Sequence, residues 1–207
     1  VRDWLNENAD RAMAVLRPLK IIIDNYDEDK TDIIEVDINP NKPELGKKAV
    51  TFSKEIFIEQ DDFMLDPPGK YFRLWHKKEV RLKGAYYIKY ASHETDENGN
   101  ITVVHCTYDP ESFGGETPDG RKVKGTLHWV SADDCVKAEV RLYDRLFNVE
   151  NPSDESKGSF KENLNPDSLI VLKDSVLEGG LRNIKEGDMF QFMRQGYFCV
   201  DTTSTDE

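Results

Sequence analysis

The stretch AYYIKYASHETDENGNITVVHCTY, residues 85–108, decides the fold class of this chain. Two runs rich in aromatic and β-branched residues, 85–92 and 101–108, flank a polar segment that contains Asn98-Gly99. Asn-Gly between two such runs is the strongest short hairpin signal, because both residues accept the positive φ angles of a tight turn. The stretch therefore predicts two antiparallel β-strands.

Outward from this hairpin, the chain predicts one opening helix and many more short strands. Apolar residues at helical spacing from Leu5 to Met13 predict a helix over residues 2–14, which ends before Pro18 because proline cannot continue it. Lys83-Gly84 predicts a tight reversal or bulge between two strands. Further strands are predicted at residues 19–24, 33–37, 49–52, 55–58, 79–82, 122–130, 136–143, 169–172, 189–192 and 197–200.

This pattern predicts a mainly β fold made of two closed six-stranded β-barrels. An open sheet of about a dozen strands would expose unpaired edges, and closure removes them. A Pro/Gly-rich loop at residues 109–119 divides the chain, so we expect the first barrel over 18–112 and the second over 113–207. The C-terminal strands could also return to complete the first barrel, and the pattern leaves both arrangements open.

The segment Lys70 to Lys89 is a basic and aromatic island in an acidic chain. It carries seven Lys or Arg residues against one acid, whereas the whole chain has a formal net charge of -12. Aromatic residues such as Phe72 and Trp75 are interleaved with the basic ones. Phosphates attract Lys and Arg, and unstacked bases attract aromatic faces. The segment therefore indicates a site for one specific polyanion, while the acidic remainder discourages non-specific binding.

Other classes of function find little support in the residues. Three cysteines without a CxxC pair argue against a disulfide framework and for a reducing, cytoplasmic location. His105 and Cys106 are neighbours in a predicted strand and point to opposite faces, which argues against zinc. No apolar run approaches the ~18 residues that span a bilayer. The chain opens on Val1 without a signal peptide, so we expect a fragment of a longer protein.

Several blocks carry a resemblance to a known family. They are NENADRAMAVLRPLKIIIDNY (6–26), NPNKPELGKKAVTFSKEIFIE (39–59), EVRLKGAYYI (79–88), KVKGTLHWVSADDCVKAEVRLYDRLF (122–147) and FQFMRQGYFCVD (190–201). In this order, over nearly the whole chain, they resemble the C-terminal anticodon-binding region of the bacterial glutaminyl-tRNA synthetases, which are class I aminoacyl-tRNA synthetases. The sibling glutamyl enzymes share this architecture and stay as an alternative, but KGTLHWVSA and FQFMRQGYF are closer to the glutaminyl branch.

The resemblance implies a fragment that recognises tRNA and does no chemistry itself. Residues 1–17 would be the end of an upstream helical connecting domain. The catalytic domain, with its ATP and Mg²⁺, would lie further upstream, so no cofactor is expected here. The partner would be the anticodon loop of a tRNA specific for glutamine, with a CUG or UUG anticodon. Membrane and DNA binding are not expected, and the protein is expected to be a monomer.

The resemblance also implies roles for individual side chains. Arg11 and Gln191 would read the middle uracil, and Arg194 would support that pocket. Arg73 would pair with the third base, guanine, whose acceptor edge suits a guanidinium group. The remaining anticodon-binding residues are Lys70, Arg81 and Lys83 around the first base, Pro40 and Asn41 in the loop that meets the anticodon, and Asn6 beside neighbouring bases.

Two positions depart from the family pattern, and several residues have structural interpretations. Phe72 and Lys83 stand where the family has Lys and Arg, and Lys lacks the planar fork of Arg. Arg11 would also be favourable near the C-terminus of a helix for electrostatic reasons alone. Gln191 could be the outward residue of a strand. The alternatives to anticodon recognition are a general RNA-binding or protein-interaction barrel and, without a catalytic motif to support it, a stand-alone enzyme.

Overall fold

The computed structural model describes residues 1–154, 156 and 158–204. In this part of the chain it has one α-helix and fifteen β-strands. They are α1 (Arg2–Asn8), β1 (Asp10–Ala12), β2 (Ala14–Val15), β3 (Pro18–Ile23), β4 (Asp32–Asp37), β5 (Lys47–Phe52), β6 (Glu55–Glu59), β7 (Glu79–Leu82), β8 (Tyr87–Thr95), β9 (Ile101–Tyr108), β10 (Thr126–Leu127), β11 (Val130–Ser131), β12 (Cys135–Tyr143), β13 (Leu169–Glu178), β14 (Met189–Phe192) and β15 (Gly196–Cys199).

The predicted hairpin is confirmed and lies inside the largest sheet, whose strand order is β10-β7-β8-β9-β3-β6-β11. β8 and β9 are antiparallel. The Asp96 carboxylate accepts hydrogen bonds from the backbone N–H groups of Asn98 (2.9 Å) and Asn100 (2.8 Å), and Gly99 takes a φ of +82°. Gly84, with a φ of +71°, makes the reversal between β7 and β8. Local turn chemistry therefore sets both connections.

One short segment pairs with strands at both edges of this sheet. β10 is parallel to β7 at one edge, and β11 is antiparallel to β6 at the other. Only His128 and Trp129 separate β10 from β11 in the sequence. Trp129 is fully buried, packs edge-on against Phe52 at 5.0 Å between ring centroids, and donates its indole N–H to the Lys83 carbonyl at 3.0 Å.

The two chain ends meet in the smaller sheets. β1 is parallel to β14, which is antiparallel to β15. β2 is antiparallel to β13, which pairs with β12. A fourth sheet consists of β4 and β5. The N-terminal segment 10–15 therefore joins the C-terminal strands, and Arg11 lies opposite Gln191 in the β1–β14 register.

The helix prediction over residues 2–14 was wrong beyond Asn8. From Ala12 to Leu16 the side chains enter two hydrophobic clusters in alternation: Met13 and Val15 pack in the larger one, and Ala12, Ala14 and Leu16 in the smaller one. This period of two belongs to a strand, and pairing with β14 and β13 outweighs the helical propensity of alanine.

The remaining predictions have mixed outcomes. The mainly β class is confirmed, whereas two closed six-stranded barrels stay a prediction, because the described strands form four separate sheets. Strand β13 is longer than predicted, and the strand predicted over 122–130 is reduced to β10 and the start of β11. Tyr143, at the end of β12, is 71% exposed. Within the described residues, no helix is long and apolar enough to cross a membrane.

Candidate nucleic-acid interface

The first group of predicted site residues surrounds the C-terminal end of α1. We call Asn6, Arg11, Asn41, Gln191 and Tyr197 the Arg11 cluster. The Arg11 guanidinium donates to the backbone oxygens of Asn6 (2.8 Å) and Ala9 (2.9 Å) and to the Asn6 side-chain oxygen (3.2 Å). Arg11 therefore caps carbonyl groups that the helix leaves unpaired.

A loop from the following part of the chain completes this cluster. The Asn41 amide donates to the Asn6 backbone oxygen at 3.1 Å, and the Tyr197 hydroxyl lies 3.3 Å from the Asn6 side-chain oxygen. Pro40 is exposed beside them. Fully buried Asn39 ties the loop to the end of α1, because its amide donates to the backbone oxygens of Glu7 and Ala9 at 2.9 and 3.3 Å. The interactions of Asn39 and Asn41 with Asn6, Glu7 and Ala9 thus fix the loop and the helix end together.

Gln191 brings a hydrogen-bond acceptor to the same place. Its side-chain oxygen is buried and accepts no hydrogen bond from the described residues. A buried polar atom without a partner costs about 1–3 kcal/mol, which a ligand that supplies a donor would recover. Phe192, next to Gln191, is buried in the smaller core cluster and stacks on Phe198 at 4.5 Å. Gln191 therefore stands on a packed hairpin, directly opposite Arg11.

The second group centres on a carboxylate that sequence reasoning missed. We call Glu59, Asp62, Arg73, His128 and Arg194 the Asp62 cluster. The side chain of Asp62 is fully buried, and its two oxygens accept hydrogen bonds from both terminal nitrogens of Arg194 at 2.7 and 2.8 Å. Arg73 forms a second ion pair with the same carboxylate through one terminal nitrogen. The structure thus brings Arg73 to Arg194.

Burial dominates the electrostatics of this cluster. It raises the pKa of Asp62 to about 6, because the cost of removing the charge from water outweighs the attraction of Arg73 and His128. Repulsion from Glu59 acts in the same direction. The carboxylate therefore begins to take up a proton only slightly below neutral pH.

Glu59 attaches the turn of the β14–β15 hairpin to the larger sheet. Its carboxylate accepts the backbone N–H groups of Leu16 (2.7 Å) and Arg17 (3.0 Å) and the side-chain amide of Gln195 (2.8 Å). His128 lies between Arg194 and Glu59, with one ring nitrogen 3.5 Å from a terminal nitrogen of Arg194 and the other 3.4 Å from a carboxylate oxygen of Glu59. The hairpin that carries Gln191 is therefore fixed at its turn by two buried acids.

The rest of the basic island does not converge on one point. Arg81 is partly buried and donates from Nε and one terminal nitrogen to the Thr126 hydroxyl at 3.1 and 2.9 Å. Lys70 and Lys83 are exposed. Phe72 is half exposed, and the Lys78 ammonium group lies 5.0 Å from its ring. These residues present charge and an aromatic face to solvent, as a single-stranded ligand requires.

The buried acids of the site had no signal in the sequence, and the buried asparagine of its loop had a weak one. Asp62 and Glu59 lie in the run EQDD, which has the composition of a solvated acidic turn, and nothing in it marks two buried acids. Asn39 precedes a proline, and Asn in that context often initiates a turn, so its role in the loop had a detectable signal.

Comparison with known families matches two successive regions of the chain to domains of the same description. Two family profiles, both described as the anticodon-binding domain of class I tRNA synthetases (E and Q), match it over residues 9–109 and 126–201. The unmatched residues between them, 110–125, contain all but the first residue of the predicted dividing loop. Asp62 and Arg73 fall in the first match, and His128 and Arg194 in the second. The Asp62 cluster therefore connects the two matched regions.

Similar curated proteins are glutamine–tRNA ligases. That of Aliivibrio salmonicida is 52% identical over 201 residues, which is 97% of this chain and 36% of the ligase. That of Clostridium perfringens is 48% identical over 208 residues, 100% of this chain and 37% of the ligase. That of Vibrio campbellii is 50% identical over 202 residues. The chain thus spans a little over a third of the length of these relatives.

Proposed function

We propose that this chain, which belongs to the anticodon-binding domains of the class I tRNA synthetases for glutamate and glutamine, reads the anticodon of a glutamine tRNA. The observation that carries the proposal is the Arg11 cluster, in which an arginine and a buried, unpaired amide oxygen lie opposite each other. The remainder of the ligase would join glutamine to the tRNA with ATP and Mg²⁺. This chain would supply recognition only.

The Arg11 cluster suits a uracil as the middle base. Uracil offers one N–H donor between two carbonyl acceptors. The Gln191 side-chain oxygen can accept that N–H, and Arg11 has N–H groups beyond those bound to Asn6 and Ala9. A base that is splayed out of its stack can be read on this edge. Asn6, Pro40 and Asn41 would shape the entrance for the neighbouring nucleotides.

The Asp62 cluster suits a guanine as the third base. Arg73 uses one terminal nitrogen for Asp62, and its side chain is 41% exposed. Its other nitrogens make no hydrogen bond to any described residue, so a fork of donors stays available for the two acceptors of guanine. Arg194 would act on the middle pocket through the hairpin. Lys70, Arg81 and Lys83 would surround the first base.

We also propose that the chain forms two six-stranded barrels packed end to end, with residues 1–17 leading in from the upstream domain. The pairing of β10 and β11 with opposite edges of the largest sheet supports closure of the first barrel. The two alternating core clusters support a second unit on the other side of β2 and β13. A cytoplasmic monomer that binds neither membranes nor DNA completes the proposal.

The test is binding of this chain to a stem-loop RNA with the anticodon CUG at two salt concentrations. Stem-loops with a changed middle base or a changed third base are measured beside it. We expect salt-sensitive binding, and a loss of about 1–3 kcal/mol for each base change. Equal affinity for all the stem-loops would contradict the proposal and would favour a general RNA-binding barrel. A stem-loop with a glutamate anticodon tests the glutamyl alternative.

A further inference from the structure

We propose that Asp62 is a positioning residue that couples recognition of the middle and third anticodon bases. It holds Arg73 directly, and through Arg194 it holds the hairpin that carries Gln191. The inference rests on the proposed function and goes beyond it, because it assigns a role in base selectivity to a buried residue that no base can contact.

The first half of the coupling concerns the orientation of Arg73. An arginine side chain is long and flexible, and ordering it costs about 0.5–1.5 kcal/mol on binding. Asp62 is buried, so it provides a fixed point that engages one terminal nitrogen of Arg73 before any RNA is present. The remaining donors of the guanidinium are then held toward the exposed side. Without the carboxylate, the RNA would have to order Arg73 itself.

The second half concerns the hairpin turn. Arg194 has a φ of +68°, and it is the one residue other than glycine with a positive φ in the described part of the chain. Such a conformation costs free energy and persists where the surroundings stabilise it. The two hydrogen bonds to Asp62 supply part of that stabilisation, and the Gln195–Glu59 contact supplies another part. Arg194 is three residues beyond Gln191, so the turn sets where Gln191 stands against Arg11.

The charge state of Asp62 provides a readout that a merely structural residue would not give. Arg73, Arg194, His128, Glu59 and Tyr71 are the charged or titratable groups that act on it or respond to it. With a pKa of about 6, the carboxylate loses its charge as the pH falls from 7 to 5. The ion pairs of Asp62 with Arg73 and Arg194 then weaken, and base selectivity should decline over the same pH range.

The experiment compares Asp62→Asn with Asp61→Asn, a matched change at the neighbouring exposed acid. Affinities are measured for the cognate stem-loop and for those with a changed middle or third base, at pH 7 and pH 5, after thermal melting has shown the variants folded. We expect Asp62→Asn to lower selectivity at the middle and third bases by roughly three- to tenfold. The selectivity that is left should no longer depend on pH. Asp61→Asn should keep the wild-type values.

Each outcome is decisive. Wild-type protein without base selectivity overturns the proposed function, and this inference with it. If the wild type is selective and the Asp62→Asn variant keeps its selectivity at either base, the coupling is overturned and the proposed function stands. The coupling is also overturned if the Asp62→Asn variant loses affinity equally for every stem-loop. Should Asp62→Asn fail to fold, Arg194→Lys keeps the charge but removes the bidentate contact. It should lower selectivity at the middle base and leave the third base unchanged, and any other pattern overturns the inference.

Discussion

The Arg11 cluster and the Asp62 cluster bring arginines to one candidate interface by opposite means. Arg11 is held by neutral oxygens two and five residues away in the sequence. Arg194 is held by a buried charge 132 residues away. Neutral, local contacts depend little on pH and survive small shifts of the fold. A buried ion pair depends on pH and on the exact geometry of the fold. The two clusters should therefore respond differently to a change of pH or to a mutation.

Removal of the buried carboxylate should have the largest effect on stability. Asp62→Ala leaves two partly buried guanidinium groups without their shared partner, and we expect a loss of about 3 kcal/mol in the free energy of unfolding at pH 7. Urea denaturation measures it. Asp61→Ala should change stability by less than about 0.5 kcal/mol. Equal losses in the two variants would show that the ion pairs contribute nothing.

Removal of one base-reading arginine should separate the two clusters functionally. Arg73→Ala should weaken binding of a stem-loop with guanine as the third base by about 1–3 kcal/mol, because one forked contact is lost. Stem-loops that already lack this guanine should lose much less. Arg11→Ala should likewise weaken binding of stem-loops with uracil as the middle base more than binding of stem-loops that already lack it. Isothermal titration or fluorescence anisotropy provides the affinities, and equal losses for every third base would exclude the role of Arg73.

The Arg11 cluster should lose stability through its loop. Asn39→Ala removes two hydrogen bonds to the end of α1 and leaves the backbone oxygens of Glu7 and Ala9 with fewer donors. We expect a cost of about 1–2 kcal/mol in the free energy of unfolding. Asn41→Ala removes one exposed contact and is the matched control, with a smaller expected effect. A larger cost for Asn41→Ala would reverse this ranking.

Of the two clusters, the Asp62 cluster should be the one whose contribution to stability depends on pH. Folded Asp62 binds its proton more tightly than the unfolded chain does, so its contribution to stability is fully present below the unfolded pKa and is lost as the pH rises through about 6. The difference in unfolding free energy, wild type minus Asp62→Asn, should therefore be about 1 kcal/mol larger at pH 5 than at pH 7. Unfolding curves for both proteins at each pH measure it, and a constant difference would contradict the assignment.

The smallest effect should come from the exposed part of the basic island. Lys83→Arg introduces the planar guanidinium fork that the resemblance implies for this position, and it should sharpen discrimination at the first base by less than about 1 kcal/mol. Lys89→Arg, at another exposed lysine of the same sheet region, is the control. Identical behaviour of the two variants would remove Lys83 from the first-base site.

Most of the strands could be predicted from the sequence, because a hairpin is set by its turn residues and by the alternation of its side chains. Glu79–Leu82, Ile101–Tyr108 and Met189–Phe192 have the predicted bounds. The opening helix was predicted too long, since Ala12 and Met13 fit a helical spacing as well as they fit two opposite core clusters. The periodicity of the apolar residues cannot decide between a helix and a strand when the partner strands come from the far end of the chain.

The sequence by itself determined the strand-rich class, the tight turns, the basic island and the family of this protein, all of which depend on neighbouring residues or on residue identity. The tertiary structure alone decided which acid is buried, which arginines share it, and that Arg11 stands opposite Gln191. The physical reason is distance along the chain. Burial and ion pairing are properties of segments that fold together, and no local pattern around Asp62 distinguishes it from its exposed neighbour Asp61.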